Sequence, residues 1–351
     1  MFNDRFIDQR KEEILYYLLS PRFLDLIILP TEKCNFRCRY CYESFSIGKM
    51  GQEVVDGIMN LIKARAPSLD LLTIHFFGGE PLLAHSHIVR ICRASMAAME
   101  TGKFFYYAMA TTNGYLLTQE RANLYYSIGL KRYQITFDGT KNVHDLWRAK
   151  YGGGGTFDTI WSNLKGLRSL PHDLEVLVRL HLMPGREDDA ERFVVMFGQE
   201  FGGDKRFKIF FKEVAHLGSN NDKEIEVFNP ASNEYNSLVS YLASLLPVEN
   251  LDNQESDASI IVNNICYASR ANSFVIRANG DIGKCTVALD SDRNRVGRIL
   301  PDGRIILDPE AVGQWLVGLD TLRPDDLRCP LHAVSSTPTP KVGLAGRAME
   351  E

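Results

Sequence analysis

The sequence predicts an α/β protein: a partial barrel of six strand and helix units, followed by a smaller region of short β pieces. Three observations predict it. From about residue 24 to 250, apolar runs of strand length alternate with segments whose apolar residues recur near helical period. Polar and glycine-rich residues collect at the C-terminal ends of those runs, the edge on which barrels and open α/β sheets build their sites. After residue 260 the pattern changes to short pieces around the turn "NGDIG".

In chain order, residues 1–23 form a helical segment containing "DQRKEEILYYLL". The barrel, 24–250, draws its strands from "LIILP", "LTIHFFGG", "YYAMATTNG", "RYQITFDG", "LEVLVRLHLMPG" and "RFKIFFKEV". Its helices are "GQEVVDGIMNLIKARA", "HSHIVRICRASMAAME", "TQERANLYYSIG", "TFDTIWSNLKGLRSL" and "DDAERFVVMFGQEF". Six units are too few to close an eightfold barrel. Surface loops at 219–234 and 249–259 flank a last helix, "YNSLVSYLASLL", and Gly152 to Gly155 form a flexible loop. Residues 260–335 read as a separate small domain built on a β-hairpin, from "SFVIRANGDIGKCTVAL" and "GRIILDP", with 336–351 as a tail.

Of the 351 residues, 45% are hydrophobic and 24% charged, as in ordinary soluble globular proteins, and no apolar run approaches the roughly 18 residues of a membrane span. The N-terminus lacks the continuous apolar core of a signal peptide, so a cytoplasmic location is expected. The net charge of −4, with acids and bases interspersed, offers no face for nucleic acid or a membrane surface. Seven cysteines, an odd number, argue for metal ligands or catalytic thiols over a disulfide framework.

Three of them fall in "TEKCNFRCRYCYES", directly after the first strand. Closely spaced cysteines there could bind zinc, form a redox pair or hold an iron–sulfur cluster. Structural zinc normally has four protein ligands, and no fourth Cys or His follows locally. A redox pair needs only two thiols. In a [4Fe–4S] cluster, Cys34, Cys38 and Cys41 would leave one iron without a protein ligand.

The Cys-x3-Cys-x2-Cys spacing, with Tyr40 immediately before the third cysteine, resembles the signature of the radical S-adenosylmethionine (AdoMet) superfamily. The resemblance implies a TIM-like partial (β/α)6 barrel, a [4Fe–4S] cluster on Cys34, Cys38 and Cys41, and AdoMet chelated to the open iron and cleaved to a 5′-deoxyadenosyl radical. It also implies a flavodoxin- or ferredoxin-type electron donor. Gly78, Gly79, Glu80 and Pro81 match the family's Gly-Gly-Glu-Pro motif for the AdoMet amino group. Thr112 and Asn113, and Asp138 in "TFDG", fall where the family lines the cofactor and substrate cavity. Arg148 precedes a glycine-rich stretch as in peptide-modifying members, where it would contact AdoMet or substrate. Cys92, within a helical run, reads as a buried small hydrophobe.

Cys266, Cys285 and Cys329, with Gly280 five residues before Cys285, resemble a truncated SPASM or twitch extension, which implies one auxiliary iron–sulfur cluster. His332, three residues after Cys329, is the candidate fourth ligand, with Asp281 or Asp290 as substitutes. The full extension has seven cysteines, and an Asp follows the hairpin cysteine in sulfatase maturases; here Thr286 follows Cys285. The resemblance therefore implies maturation of a ribosomally made precursor peptide, with a carbon–carbon (cyclophane) or thioether cross-link favoured. The alternatives are a peptide epimerase with a cysteine hydrogen donor, a sulfatase-maturase-like oxidase, a small-molecule radical dehydrogenase, and a non-enzymatic metal or cluster carrier. The roughly 24 residues before the first strand are too few for a leader-recognition domain, so a separate recognition protein is an expected partner.

Overall fold

Alternation of side chains across each strand sets the barrel. The computed structural model describes residues 3–219, 222–252, 261 and 264–336. Along β1 (Phe23–Ile28), Leu24, Leu26 and Ile28 join the main core, which leaves Asp25 on the opposite face. The loop after it carries the short β2 (Phe36–Cys38). The same alternation runs through β3 (Leu71–Phe76), β4 (Phe105–Thr112) and β5 (Leu130–Phe137). After β6 (Arg148–Lys150), it continues in β7 (Glu175–Leu182) and β8 (Phe207–Glu213).

The strands pair in parallel in the order β1, β3, β4, β5, β7, β8, so all six predicted strands are present. Helices Gln52–Arg65, His85–Gly102, Gln119–Ser127, Phe157–Arg168 and Glu187–Phe201 return the chain, and Asn233–Ser244 follows β8. Caps fix several starts: Thr118 accepts from the Arg121 N–H and Ser232 from the Tyr235 N–H. The core faces these helices, with Phe137, Phe193, Phe201 and Phe207 fully buried.

The hairpin of the C-terminal segment continues the barrel sheet. β9 (Ser273–Ile276) pairs in parallel with β1, Asp25 opposite Ser273. β10 (Asp281–Gly283), β11 (Gly297–Ile299) and β12 (Ile305–Leu307) then add in antiparallel order, so ten strands form one sheet among the described residues. Helices Asp4–Gln9 and Lys11–Leu19 seat Ile7, Ile14 and Leu18 against Ile261, Ile265 and Leu327 of the C-terminal segment. Most of the predicted 249–259 loop, the start of the 260–335 segment and the tail beyond Ser336 lie outside the described residues. Among the described residues, no helix is long and apolar enough to cross a membrane.

Candidate iron–sulfur and cofactor site

The loop that leaves β1 is held by neighbours from three directions. β2 pairs antiparallel with β6, which places Cys38 opposite Arg148 in register. The Arg148 backbone is thus fixed against the second cysteine, a contact that sequence order alone hides. The Cys41 N–H donates to the Cys38 carbonyl at 3.2 Å, and the Phe36 N–H lies 3.4 Å from Cys34 Sγ.

From the second side comes the turn after β3. A Cβ on Gly78, whose φ is +97°, would stand 2.7 Å from the Thr31 carbonyl, and one on Gly79 2.5 Å from that of Lys33. Glycine is required at both because this turn lies directly on the backbone that precedes Cys34. The Glu80 N–H donates to the Lys33 carbonyl, and Pro81 opens the short turn of helix Pro81–Ala84.

Glu80 caps that turn. Its carboxylate is fully buried and already engaged, accepting from the Leu82 N–H at 2.9 Å, the Thr112 hydroxyl at 2.8 Å and the Asn113 N–H at 2.7 Å. Burial raises its pKa, and those donors oppose the rise. Geometrically, Glu80 ties the β3 turn to the end of β4. Asn113, so held, donates to Asn35 Oδ1 at 2.8 Å and sits 4.0 Å from Cys34 Sγ.

The third side is a polar cluster on the barrel interior. Tyr40 donates to the Asp138 carboxylate at 2.9 Å and accepts from Arg148 Nη1 at 2.7 Å. His181 Nδ1 meets Asp138 Oδ1 at 3.0 Å, and its ring packs edge-on to Tyr40. Burial alone would raise the Asp138 carboxyl; the hydrogen bond and charge of His181 and the charge of Arg148 outweigh it and hold the carboxyl below its ordinary range. The sequence singles out Tyr40, Asp138 and Arg148 but not His181. Its signal is present in "RLHL", where alternation puts His181 on the interior face at the C-terminal end of β7.

Cys34, Cys38 and Cys41 are free, half-buried thiols, close enough for mutual electrostatic influence. Burial pushes Cys34 and Cys41 up to about 12, with the Glu80 charge adding at Cys34 and that of Cys38 at Cys41. Among the described residues, no three His, Cys, Asp or Glu side chains gather tightly enough for one metal ion.

The second set also converges. Cys266 donates its N–H to the Leu327 carbonyl near Cys329, and burial, then the neighbouring Cys285 and Cys329, push its thiol up to about 11. Cys285 is buried, with its N–H on Asn294 Oδ1. His332 is exposed, Asp290 is bound up with Arg277 at the rim, and Asp281 faces Arg295. Two contacts join this region to the first loop: Arg277 grips the buried Glu32 through two nitrogens at 3.1 and 2.6 Å, and Tyr42 donates to the Thr286 carbonyl. Neither pair is legible before β9 is known to lie beside β1. Cys92 is buried in its helix, as expected.

The Radical SAM superfamily profile matches residues 28–199. A cysteine-type anaerobic sulfatase-maturating enzyme of Clostridium novyi is 26% identical over 179 residues, 47% of this chain and 46% of that protein. A probable GTP 3′,8-cyclase of Methanosarcina acetivorans is 26% identical over 205 residues, 56% of this chain and 57% of that protein. The PqqA peptide cyclase of Bradyrhizobium diazoefficiens is 25% identical over 118 residues, 34% of this chain and 29% of that protein. The chain thus spans about half the length of the first two of these relatives, and less of the third. Among solved structures, native anSMEcpe with bound AdoMet superposes with a TM-score of 0.62 at 16% identity, over 82% of this chain and 80% of that one. Streptococcus suis SuiB bound to precursor peptide SuiA gives 0.59 at 14% identity, over 88% of this chain and 69% of that one. The chain belongs to the radical SAM superfamily, whose members carry a [4Fe–4S] cluster and use AdoMet.

Proposed function

We propose that this radical SAM enzyme modifies a peptide, with Cys34, Cys38 and Cys41 as ligands of the AdoMet-binding cluster. The observation that carries the reading is the clamped cysteine loop: three free thiols held between the Gly78–Gly79 turn, β6 and the Tyr40–Asp138–Arg148 cluster, with no fourth local ligand. When bound, the cluster and AdoMet supply the 5′-deoxyadenosyl radical that abstracts a hydrogen atom. The chain's own residues do the placing. Gly78 and Gly79 let the β3 turn brace the backbone before Cys34, Asn113 closes the cysteine loop, and Tyr40 carries Arg148 and Asp138 toward the cofactor and substrate.

A peptide is favoured over a nucleotide because two structures of this fold were solved with peptides, SuiB with SuiA and anSMEcpe with Cp18Cys. Convergence of Cys266, Cys285 and Cys329 supports an auxiliary cluster as electron acceptor, hence a cross-link that removes a second electron. One observation favours a second reading: His332 is exposed and no described carboxylate joins the three cysteines, so a free thiol could act as hydrogen donor in an epimerisation.

Iron and sulfide content of anaerobically reconstituted protein tests both, measured with 5′-deoxyadenosine formation in the wild type and the Cys34/Cys38/Cys41→Ala variant. About eight irons falling to about four, with cleavage lost, supports the cross-linking enzyme. About four falling to none supports the epimerase. Cleavage that persists in the triple variant overturns the cluster assignment.

A further inference from the structure

Arg179 stands out among the cations inside the barrel. It lies on β7 two residues before His181, on the same interior face and about 6.6 Å deeper along the strand. Register places it between Thr136 of β5 and Phe210 of β8, and Tyr40, Tyr42 and Arg148 of the cysteine loop and β6 lie within electrostatic range of it. The side chain is partly buried and its Nε is enclosed without a hydrogen-bond partner. Among the described residues its sole polar contact is the face of the Phe210 ring, with the guanidinium 5.5 Å from the centroid.

Other enclosed cations are matched. Arg132 and Lys208 share Glu175, Arg270 pairs with Asp25, Arg277 with Glu32, and Arg148 donates to Tyr40. Asp138, the partner of His181 two residues further along β7, is already engaged by Tyr40 and His181. A guanidinium withdrawn from water without an anion is costly, and the cost is recovered when an anion completes it. One partly buried charge beside the Phe210 ring matches one carboxylate, bound through the guanidinium's paired N–H groups. A triphosphate would call for several free cations, and only this one is free in the set above.

We infer that Arg179 binds a carboxylate of the peptide substrate, either an Asp or Glu side chain or the C-terminal carboxylate, and so fixes which residue lies beside the cleaved cofactor. This rests on the peptide reading above. The test uses anaerobically reconstituted, AdoMet-loaded enzyme whose 5′-deoxyadenosine formation has been confirmed on the same preparation, so that failure of the radical SAM reading shows separately. Calorimetric titration compares acetyl-Ala-Ala-Asp-Ala-Ala-amide, its Asn counterpart, acetyl-pentaalanine with a free C-terminus, and GTP.

The expected result is about tenfold or tighter binding of one carboxylate probe over the Asn probe. Whether the Asp or the free C-terminus wins identifies the source. That preference disappears in Arg179→Met and returns in part in Arg179→Lys. Without peptide, Arg179→Met melts at or above the wild-type temperature, whereas a residue that only supports the fold would lower it. If the Met variant does not accumulate, Arg179→Gln is expected to show the same loss of preference. Equal affinity for the Asp and Asn probes, no binding of any peptide, a preference that survives in Arg179→Met, or GTP binding tightest would each overturn the inference.

Discussion

Replacing Glu80 separates two roles that the same motif position can play. In Glu80→Ala, the backbone N–H groups of Leu82 and Asn113 lose their acceptor inside the protein, while the Thr112 hydroxyl can turn elsewhere. Each orphaned buried donor costs about 1–3 kcal/mol. Relief of the buried charge, whose desolvation raises the Glu80 pKa, offsets part of this and leaves about 3 kcal/mol. At this chain size that lowers the melting temperature by roughly 4 °C. Glu80→Gln keeps one oxygen for Leu82 and Thr112 and turns an amide N–H toward the Asn113 N–H, so about half the loss is expected. Thermal unfolding by circular dichroism, beside equilibrium dialysis of AdoMet, reads both effects. If Glu80→Ala melts with the wild type and AdoMet binding alone weakens, the carboxylate faces the ligand and the bracing role is wrong.

Gly79→Ala pushes a Cβ against the Lys33 carbonyl, where 2.5 Å is available, and should cost about 1–3 kcal/mol and lower iron occupancy after reconstitution; full occupancy would show that the turn yields easily. Arg277→Met strands the buried Glu32 and should destabilise by about 3–5 kcal/mol, while Arg277→Met with Glu32→Met recovers most of that in urea unfolding. His75 and His144 are held neutral, lowered to about 4 chiefly by burial, so below pH 6.5 the unfolded chain binds protons that the folded chain does not. Stability is therefore complete above pH 6.5 and falls as pH drops toward 4, by at most about 3 kcal/mol per histidine. His75→Gln should flatten that slope, and an unchanged slope would mean that His75 titrates normally.

Much of the barrel was legible because each strand carries its instruction locally: "LTIHFF" alternates so that Leu72, Ile74 and Phe76 reach the core, and "HSHIVRICRASMAAME" keeps Ile88, Ile91 and Cys92 on one helical stripe. The cysteine spacing was legible for the same reason, since the three cysteines fall within one loop. What escaped depends on partners far away in sequence. The β2–β6 ribbon, the β9–β1 pairing and the Arg277–Glu32 pair join residues more than 100 positions apart, and three-residue strands carry too little pattern to declare themselves. Glu80 was found but its bonding was not, because a motif gives a residue's place and not which of its atoms are already satisfied.

The barrel interior shows why the incomplete architecture matters. A closed eightfold barrel fills its centre with layers of branched apolar side chains. Here the inward face carries Asp25 and Thr73 on the first strands, His75 and Thr111 bonded to each other at 2.8 Å, and Gln134, Arg179 and His181 further round. Such groups could not be buried together without their own partners, and most have them. Because the six parallel strands do not close on themselves, the two edges part, and β9 with its hairpin takes the free side of β1. The C-terminal segment is tied to the cysteine loop at the end of β1 through the Tyr42–Thr286 and Glu32–Arg277 contacts. Openness at one edge and polarity within are one design: the fold leaves its centre for a guest, and Arg179, the guanidinium there without an anion among the described residues, is where the charge of that guest is read.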